Sequence, residues 1–158
     1  MPILNKRANK TPLGLYVHVP FCRSKCQYCD FYSMATKDDK LMDGYLDAVC
    51  DHIKEAGELA PGYKVDSVYF GGGTPSLLDP ADAARLMEAA SPLPGAEITL
   101  EANPETVTEE SLRAFREAGV NRISFGVQSA RDSQLKTLGR PHTAKQARAA
   151  FRAAQRAG

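Results

Sequence analysis

The stretch FCRSKCQYCDFYS, residues 21–33, holds three of the chain's four cysteines within eight residues. Cys22, Cys26 and Cys29 follow the spacing C-x3-C-x2-C. In a reducing compartment, thiols this close bind metal more often than they pair as disulfides. A structural zinc site closes with four ligands, commonly from two CxxC pairs distant in sequence, and no second pair follows here. A [4Fe–4S] cluster that only carries electrons takes four thiolates. Three thiolates leave one iron free, a liability in an electron carrier and a requirement in a catalyst that binds its substrate at iron. The residues alone leave two readings open: a cluster with an open iron, or a zinc or redox site whose last ligand lies elsewhere in the chain. Cys50 stands beside Val49 in a helical pattern and is expected in the core. His18 is expected to be packed or hydrogen-bonded rather than a ligand.

Other polar positions fall at comparable places. Gly71, Gly72 and Gly73 precede Thr74 in GGGTPS. Such a run lets backbone approach a ligand closely, and equally makes a tight turn; it has neither the G-x-G-x-x-G spacing of dinucleotide folds nor the lysine of a P-loop. Glu101 offers a carboxylate, Gln128 both donor and acceptor, and Arg140 a two-pronged donor. Read singly, each is an ordinary surface or capping residue, and Tyr16 and Tyr28 are ordinary core aromatics.

The elements that must position these residues alternate. LYVHV (15–19), VDSVYF (65–70), EITLEA (97–102) and RISFGV (122–127) read as short buried strands. Between and after them lie helical patterns: residues 38–60, with Met42, Leu46, Val49 and Ile53 on one face; a helix from Asp79 as N-cap with Pro80 at its first position; one from Thr108 to Gly119; and one from Thr143 to Gly158. This β-α-β-α-β-α-β-α order predicts an α/β fold with a parallel sheet and right-handed crossovers. Alternation does not decide between a partial barrel and an open doubly wound sheet. In either, a ligand site lies at the carboxyl ends of the strands, which is where PFCRSKC, GGGTPS, NPE and QS fall. Four parallel strands do not close a barrel, so the chain is expected to be a piece of a longer protein.

Composition is ordinary for a globular domain: 158 residues, 43% hydrophobic, 25% charged, net charge +1. That balance gives no general attraction to nucleic acid. No apolar run reaches the roughly 20 residues of a spanning helix, and the polar start MPILNKRANKTPLG lacks a signal-peptide core, so a cytoplasmic setting is expected. Lys145, Arg148, Arg152 and Arg156 recur at helical spacing in the last helix; they read as a solvated face rather than a groove for an anionic partner.

The motifs YVHVPFCRSKCQYCDFYS, YFGGGTPSLL, EANPET, NRISFGVQS and LGRPHT, in that order from Leu15 to the C-terminus, resemble the radical S-adenosylmethionine (SAM) enzymes. Within them they resemble the branch of the oxygen-independent coproporphyrinogen III oxidases and the HemW haem chaperones. The resemblance implies a partial TIM barrel interrupted after its fourth βα unit, with residues 1–14 as an N-terminal tail and 15–158 as the N-terminal part of the core domain. It implies that Cys22, Cys26 and Cys29 ligate a [4Fe–4S] cluster whose open iron takes the amino and carboxylate groups of SAM. Reduced cluster in that family splits the sulfonium bond to give a 5′-deoxyadenosyl radical. The resemblance further places Tyr16, Tyr28, Gly72, Gly73, Thr74, Glu101, Gln128 and Arg140 around SAM; Tyr28 stands where some relatives have phenylalanine. It implies haem or a porphyrin, haem-acceptor proteins and an electron-donor protein as partners.

Two features separate the members of the branch. The oxidases resemble C-x3-C-x2-C-x-C, with a cysteine where this chain has Phe31, and tend to carry a long arm before the first strand. Both features favour a HemW-like haem chaperone; coproporphyrinogen dehydrogenation is the alternative, and a non-enzymatic iron–sulfur or zinc scaffold a distant third.

Overall fold

The computed structural model describes residues 11–36 and 38–158; the expected N-terminal tail lies outside it except for its last four residues. The first strand, β1, runs Thr11–Val19, so it begins before the expected Leu15 and takes in part of that tail. Pro12 and Gly14 hid this extension. Among the described residues β1 is an edge strand, with β4 on one side, and an edge tolerates proline because one row of its donors faces no partner. A register irregularity between Leu13 and Gly14 absorbs the glycine.

The chain then makes two very short strands, β2 (Phe21–Cys22) and β3 (Met34–Ala35), which pair in parallel and close the cysteine loop at its base. Helix α1 (Asp39–Leu59) follows, with the Asp38 carboxylate accepting from Leu41 N. After β4 (Tyr63–Gly72) comes a single 3-10 turn, Pro75–Leu77. Helix α2 (Pro80–Ala90) is capped by Asp79, with Pro80 where its missing N–H costs nothing. β5 (Glu97–Ala102) leads to α3 (Glu109–Glu117), whose N-terminus is a reciprocal capping box between Thr108 and Ser111. Gly119, at φ +106°, then turns the chain into β6 (Arg122–Phe125). A six-residue helix, α4 (Asp132–Thr137), precedes α5 (Ala144–Ala157), which has its own capping box between Thr143 and Gln146. α4 was not expected: it is too short to show a helical period. The expected fourth strand stops at Phe125 because Gln128 adopts φ +63° and turns the chain away.

The main sheet is parallel with order β1-β4-β5-β6. Sequential order with a helix between successive strands is the topology of a barrel wall, whereas a doubly wound sheet reverses direction. Register explains the two faces. Val17, Phe70, Leu100 and Ile123 form one cross-strand row, and this row faces the helices, where Leu46, Cys50, Leu86 and Phe115 complete the core. The flanking rows point the other way: Tyr16 opposite Tyr69 and Thr99, and His18 opposite Gly71, with Glu101 opposite Ser124. The inner face of the wall is therefore polar and aromatic, and the site stands at its carboxyl end. No helix among the described residues is long and apolar enough to cross a membrane.

Candidate cofactor site

The cysteine loop is fixed at both ends. Met34 N donates to Pro20 O at 2.8 Å and Thr36 N to Cys22 O at 3.3 Å. His18 Nε2 donates to Tyr32 O at 2.8 Å, which leaves Nδ1 to accept from the Tyr16 hydroxyl at 3.3 Å. Tyr45 reaches over from α1 and donates to His18 O at 2.8 Å. His18 is thus a brace for the cysteine loop, with both ring nitrogens engaged by Tyr16 and Tyr32.

The glycine run explains the closeness of the next wall. Gly73 N donates to Val19 O and Thr74 N to Phe21 O, each at 2.8 Å. A Cβ on Gly73 would lie 2.6 Å from Phe21 O, and one on Gly72 2.6 Å from the His18 ring. Gly72 also holds φ +112°, which side chains rarely adopt. These glycines let β4 press against the segment that carries Cys22. Thr74 Oγ1 then lies 3.6 Å from Cys22 Sγ.

Glu101, at the end of β5, accepts from the Tyr69 hydroxyl at 2.8 Å and from Gly72 N at 3.3 Å. That bond, with burial, holds the Tyr69 phenol above its ordinary range, so it stays a donor. Burial and the nearby Glu101 charge do the same to Tyr16. Arg140 arrives from the loop before α5. Its Nη2 donates to Asn103 Oδ1 and to Gly126 O, and its Nη1 points at Cys26 Sγ (3.6 Å) and the Tyr28 hydroxyl (3.5 Å). Arg140 Nε is buried with no hydrogen-bond partner among the described residues.

Together these groups line a cavity of about 390 Å³, in the usual range for small-molecule sites. Every expected site residue except Tyr16 lines it: Cys22, Cys26, Cys29, Tyr28, Gly72, Gly73, Thr74, Glu101, Gln128 and Arg140. Tyr16 sits on the same sheet face, stacked on Tyr69 at 6.1 Å, outside the cavity wall. Cys50 is buried in the core, and burial raises its thiol above the ordinary range, which keeps it protonated and inert.

Asn103 is the residue that sequence reading passed over. Its side chain donates to Thr74 Oγ1 at 3.2 Å and accepts from Arg140, joining the glycine wall to the arginine. The signal was its place between strand end and proline in EANPET, where the chain must stay extended.

A family model described as the Radical SAM superfamily matches residues 16–158. The chain belongs to that superfamily. This radical SAM chain is 43% identical over 151 residues to a heme chaperone HemW of Escherichia coli K12, covering 93% of the chain and 40% of that protein. It is 42% identical over 149 residues to the bovine mitochondrial "radical S-adenosyl methionine domain-containing protein 1", covering 90% of the chain and 33% of the relative. Among solved structures, the coproporphyrinogen III oxidase HemN of E. coli superposes with a TM-score of 0.85 at 31% identity, covering 96% of this chain and 36% of that one. The chain therefore spans about 40% or less of the length of these relatives.

The family implies a [4Fe–4S] cluster and SAM, and the residues present fit both. Three unpaired thiols line one open cavity. Three thiolates, one to each of three irons, suit a [4Fe–4S] cluster with one iron left open. The buried, unpartnered Arg140 Nε and the half-used Glu101 carboxylate give the same cavity a cation and an anion, the pair that a zwitterionic amino-acid group requires.

Proposed function

We propose that this chain is the cofactor-binding part of a HemW-like haem chaperone. Cys22, Cys26 and Cys29 hold a [4Fe–4S] cluster, and SAM lies in the same cavity at the open iron. The observation that carries the cofactor reading is the convergence of three free thiols, Arg140 and Glu101 on one cavity. Arg140 binds the carboxylate of SAM; Glu101 and the backbone at Gly72–Thr74 face its amino group; Tyr28 and Gln128 flank the remainder. Tyr16 acts behind this layer, against the Tyr69 that orients Glu101. The chemistry supplied there, once both groups are bound, is one-electron cleavage of the SAM sulfonium. The chain's own contribution is to orient the two groups, hold their charges and exclude water.

The chaperone reading is supported by the identity to HemW and by Phe31, which stands 62% exposed on the cavity wall where the resemblance gives the oxidases a cysteine. In this reading haem is bound and passed to acceptor proteins, a reductant protein supplies electrons, and the setting is the cytoplasm, where thiols stay reduced. The superposition on HemN favours a second reading, coproporphyrinogen dehydrogenation. Anaerobic reconstitution with iron and sulfide tests the cofactor reading: the cluster's EPR signal should change when SAM is added. Stoichiometric zinc without iron uptake would overturn it.

A further inference from the structure

The LGRPHT motif holds a second buried side chain besides Arg140. His142 is 2% exposed and lies outside the cavity wall. Its Nδ1 is 3.1 Å from Glu105 Oε2, and its Nε2 is 3.1 Å from Val127 O. Arg140 and His142, two residues apart, thus bind the same two loops in parallel. Arg140 takes Asn103 and Gly126, and His142 takes Glu105 and Val127. On the far side of this loop, Asp132 accepts from Ala144 N at 2.7 Å and anchors α5. The side facing the strand ends is left to Arg140 and His142.

We infer that His142 is a positioning residue for the SAM pocket, a buried staple that sets the Arg140 guanidinium and the Gln128 turn in place. The inference rests on the reading that the cavity takes SAM. Its physical basis is an inventory of donors. The Val127 carbonyl only accepts, so His142 Nε2 donates to it, while Nδ1 faces the Glu105 carboxyl at 3.1 Å; both ring nitrogens are engaged and the buried ring cannot swing free. Gln128 follows Val127 directly and holds a left-handed φ of +63°, a conformation that persists only where its surroundings enforce it. If the Val127 carbonyl is released, the turn that aims Gln128 relaxes. The guanidinium of Arg140, which shares Gly126 with that turn, loses its fixed direction as well.

The test uses cluster-loaded protein and two independent readouts. Nitrogen-15 NMR of histidine-labelled protein should show the His142 Nε2 proton hydrogen-bonded and protected from exchange with solvent. SAM titration should show His142→Gln and Glu105→Gln each weakening binding by roughly tenfold, the scale of one lost charge-assisted hydrogen bond, with iron content unchanged. The double variant should bind SAM no more weakly than either single one, because the two residues act as a unit. If His142→Gln does not fold, Glu105→Gln and the spectrum of the unaltered protein still decide. A freely exchanging Nε2 proton, or SAM affinity unchanged in a folded variant, overturns the inference. Failure of the unaltered cluster-loaded protein to bind SAM overturns instead the reading on which it rests.

Discussion

Arg140 Nη1 lies 3.6 Å from Cys26 Sγ, across 114 residues of chain. The contact brings the end of the last βα connection onto the loop that follows the first strand. In the proposed reading it fixes the direction from which the carboxylate of SAM approaches.

Arg140→Ala should therefore weaken SAM binding by about 2 kcal/mol, or roughly thirtyfold, while the cluster is retained. Arg140→Lys should recover little of this. A lysine keeps the charge but cannot hold Asn103 and Gly126 on one prong and face Cys26 and Tyr28 with the other. Equilibrium titration of reconstituted protein, with iron counted in each sample, checks both.

Replacement of Cys22, Cys26 or Cys29 with Ala should each abolish cluster binding. Cys50→Ala should leave iron content intact, because that thiol sits in the core at 7% exposure. Its cost should be about 1 kcal/mol of stability from lost packing. Iron and sulfide analysis beside thermal unfolding separates the two effects. Loss of iron from Cys50→Ala in a folded protein would make it a ligand after all.

The contrast between these cysteines was legible in the sequence because spacing separates a loop cluster from a helical position. The helix starts were equally plain: Asp38, Asp79, Thr108 and Thr143 each cap a helix as their residue types predict. Less visible was whatever depends on pairing at a distance. The extension of β1 through Pro12 is tolerated only because the strand lies at an edge, and β2 with β3 is a two-residue ladder with no period to read. Asn103 and His142 escaped notice because their partners lie 29 and 37 residues away. Resemblance places Tyr16 around SAM, and strand register stacks it on Tyr69, the residue that donates to Glu101 of the cavity wall.

Gly73→Ala should disturb the cluster loop as well as the SAM side. A Cβ there meets the Phe21 backbone, which leads directly into Cys22. Backbone yields less readily than a side chain, so a stability loss of about 2 kcal/mol is expected. Melting temperature and iron uptake should fall together. Weaker SAM binding with neither changed would show that the glycine serves only the ligand's approach.

Glu109 joins α3 to α5, accepting from Arg156 Nε and Arg113 Nη2, each at 2.7 Å. The Arg156 bond first, then that of Arg113, holds its carboxyl below the ordinary range. A carboxyl depressed in the folded state contributes stability above its unfolded value, and that contribution is lost as pH falls through the folded one. Glu109→Gln should thus lower the melting temperature slightly near neutrality, with the two curves converging in acid. The pair is exposed, so high salt should shrink the difference. A gap that widens in acid would contradict the assignment.

Phe31 separates the two functional readings. It stands on the cavity wall, 62% exposed, two residues beyond Cys29. The resemblance gives the oxidases a cysteine at this position, where a thiol could ligate, transfer a proton or carry an electron. A phenyl ring does none of these; it offers an apolar face. Dehydrogenation of two propionate side chains demands hydrogen abstraction and then removal of an electron and a carboxyl group from each. That sequence needs more than a radical source. The full-length protein, with SAM and a reductant under anaerobic conditions, should therefore bind haem but form no protoporphyrinogen IX from coproporphyrinogen III. Porphyrin chromatography of the turnover mixture, run beside a haem titration, measures both. Product that accumulates with time and vanishes when Cys22, Cys26 or Cys29 is replaced would establish the oxidase and remove the chaperone reading. Haem binding with no product, retained when SAM is omitted, would place the haem site apart from the radical chemistry.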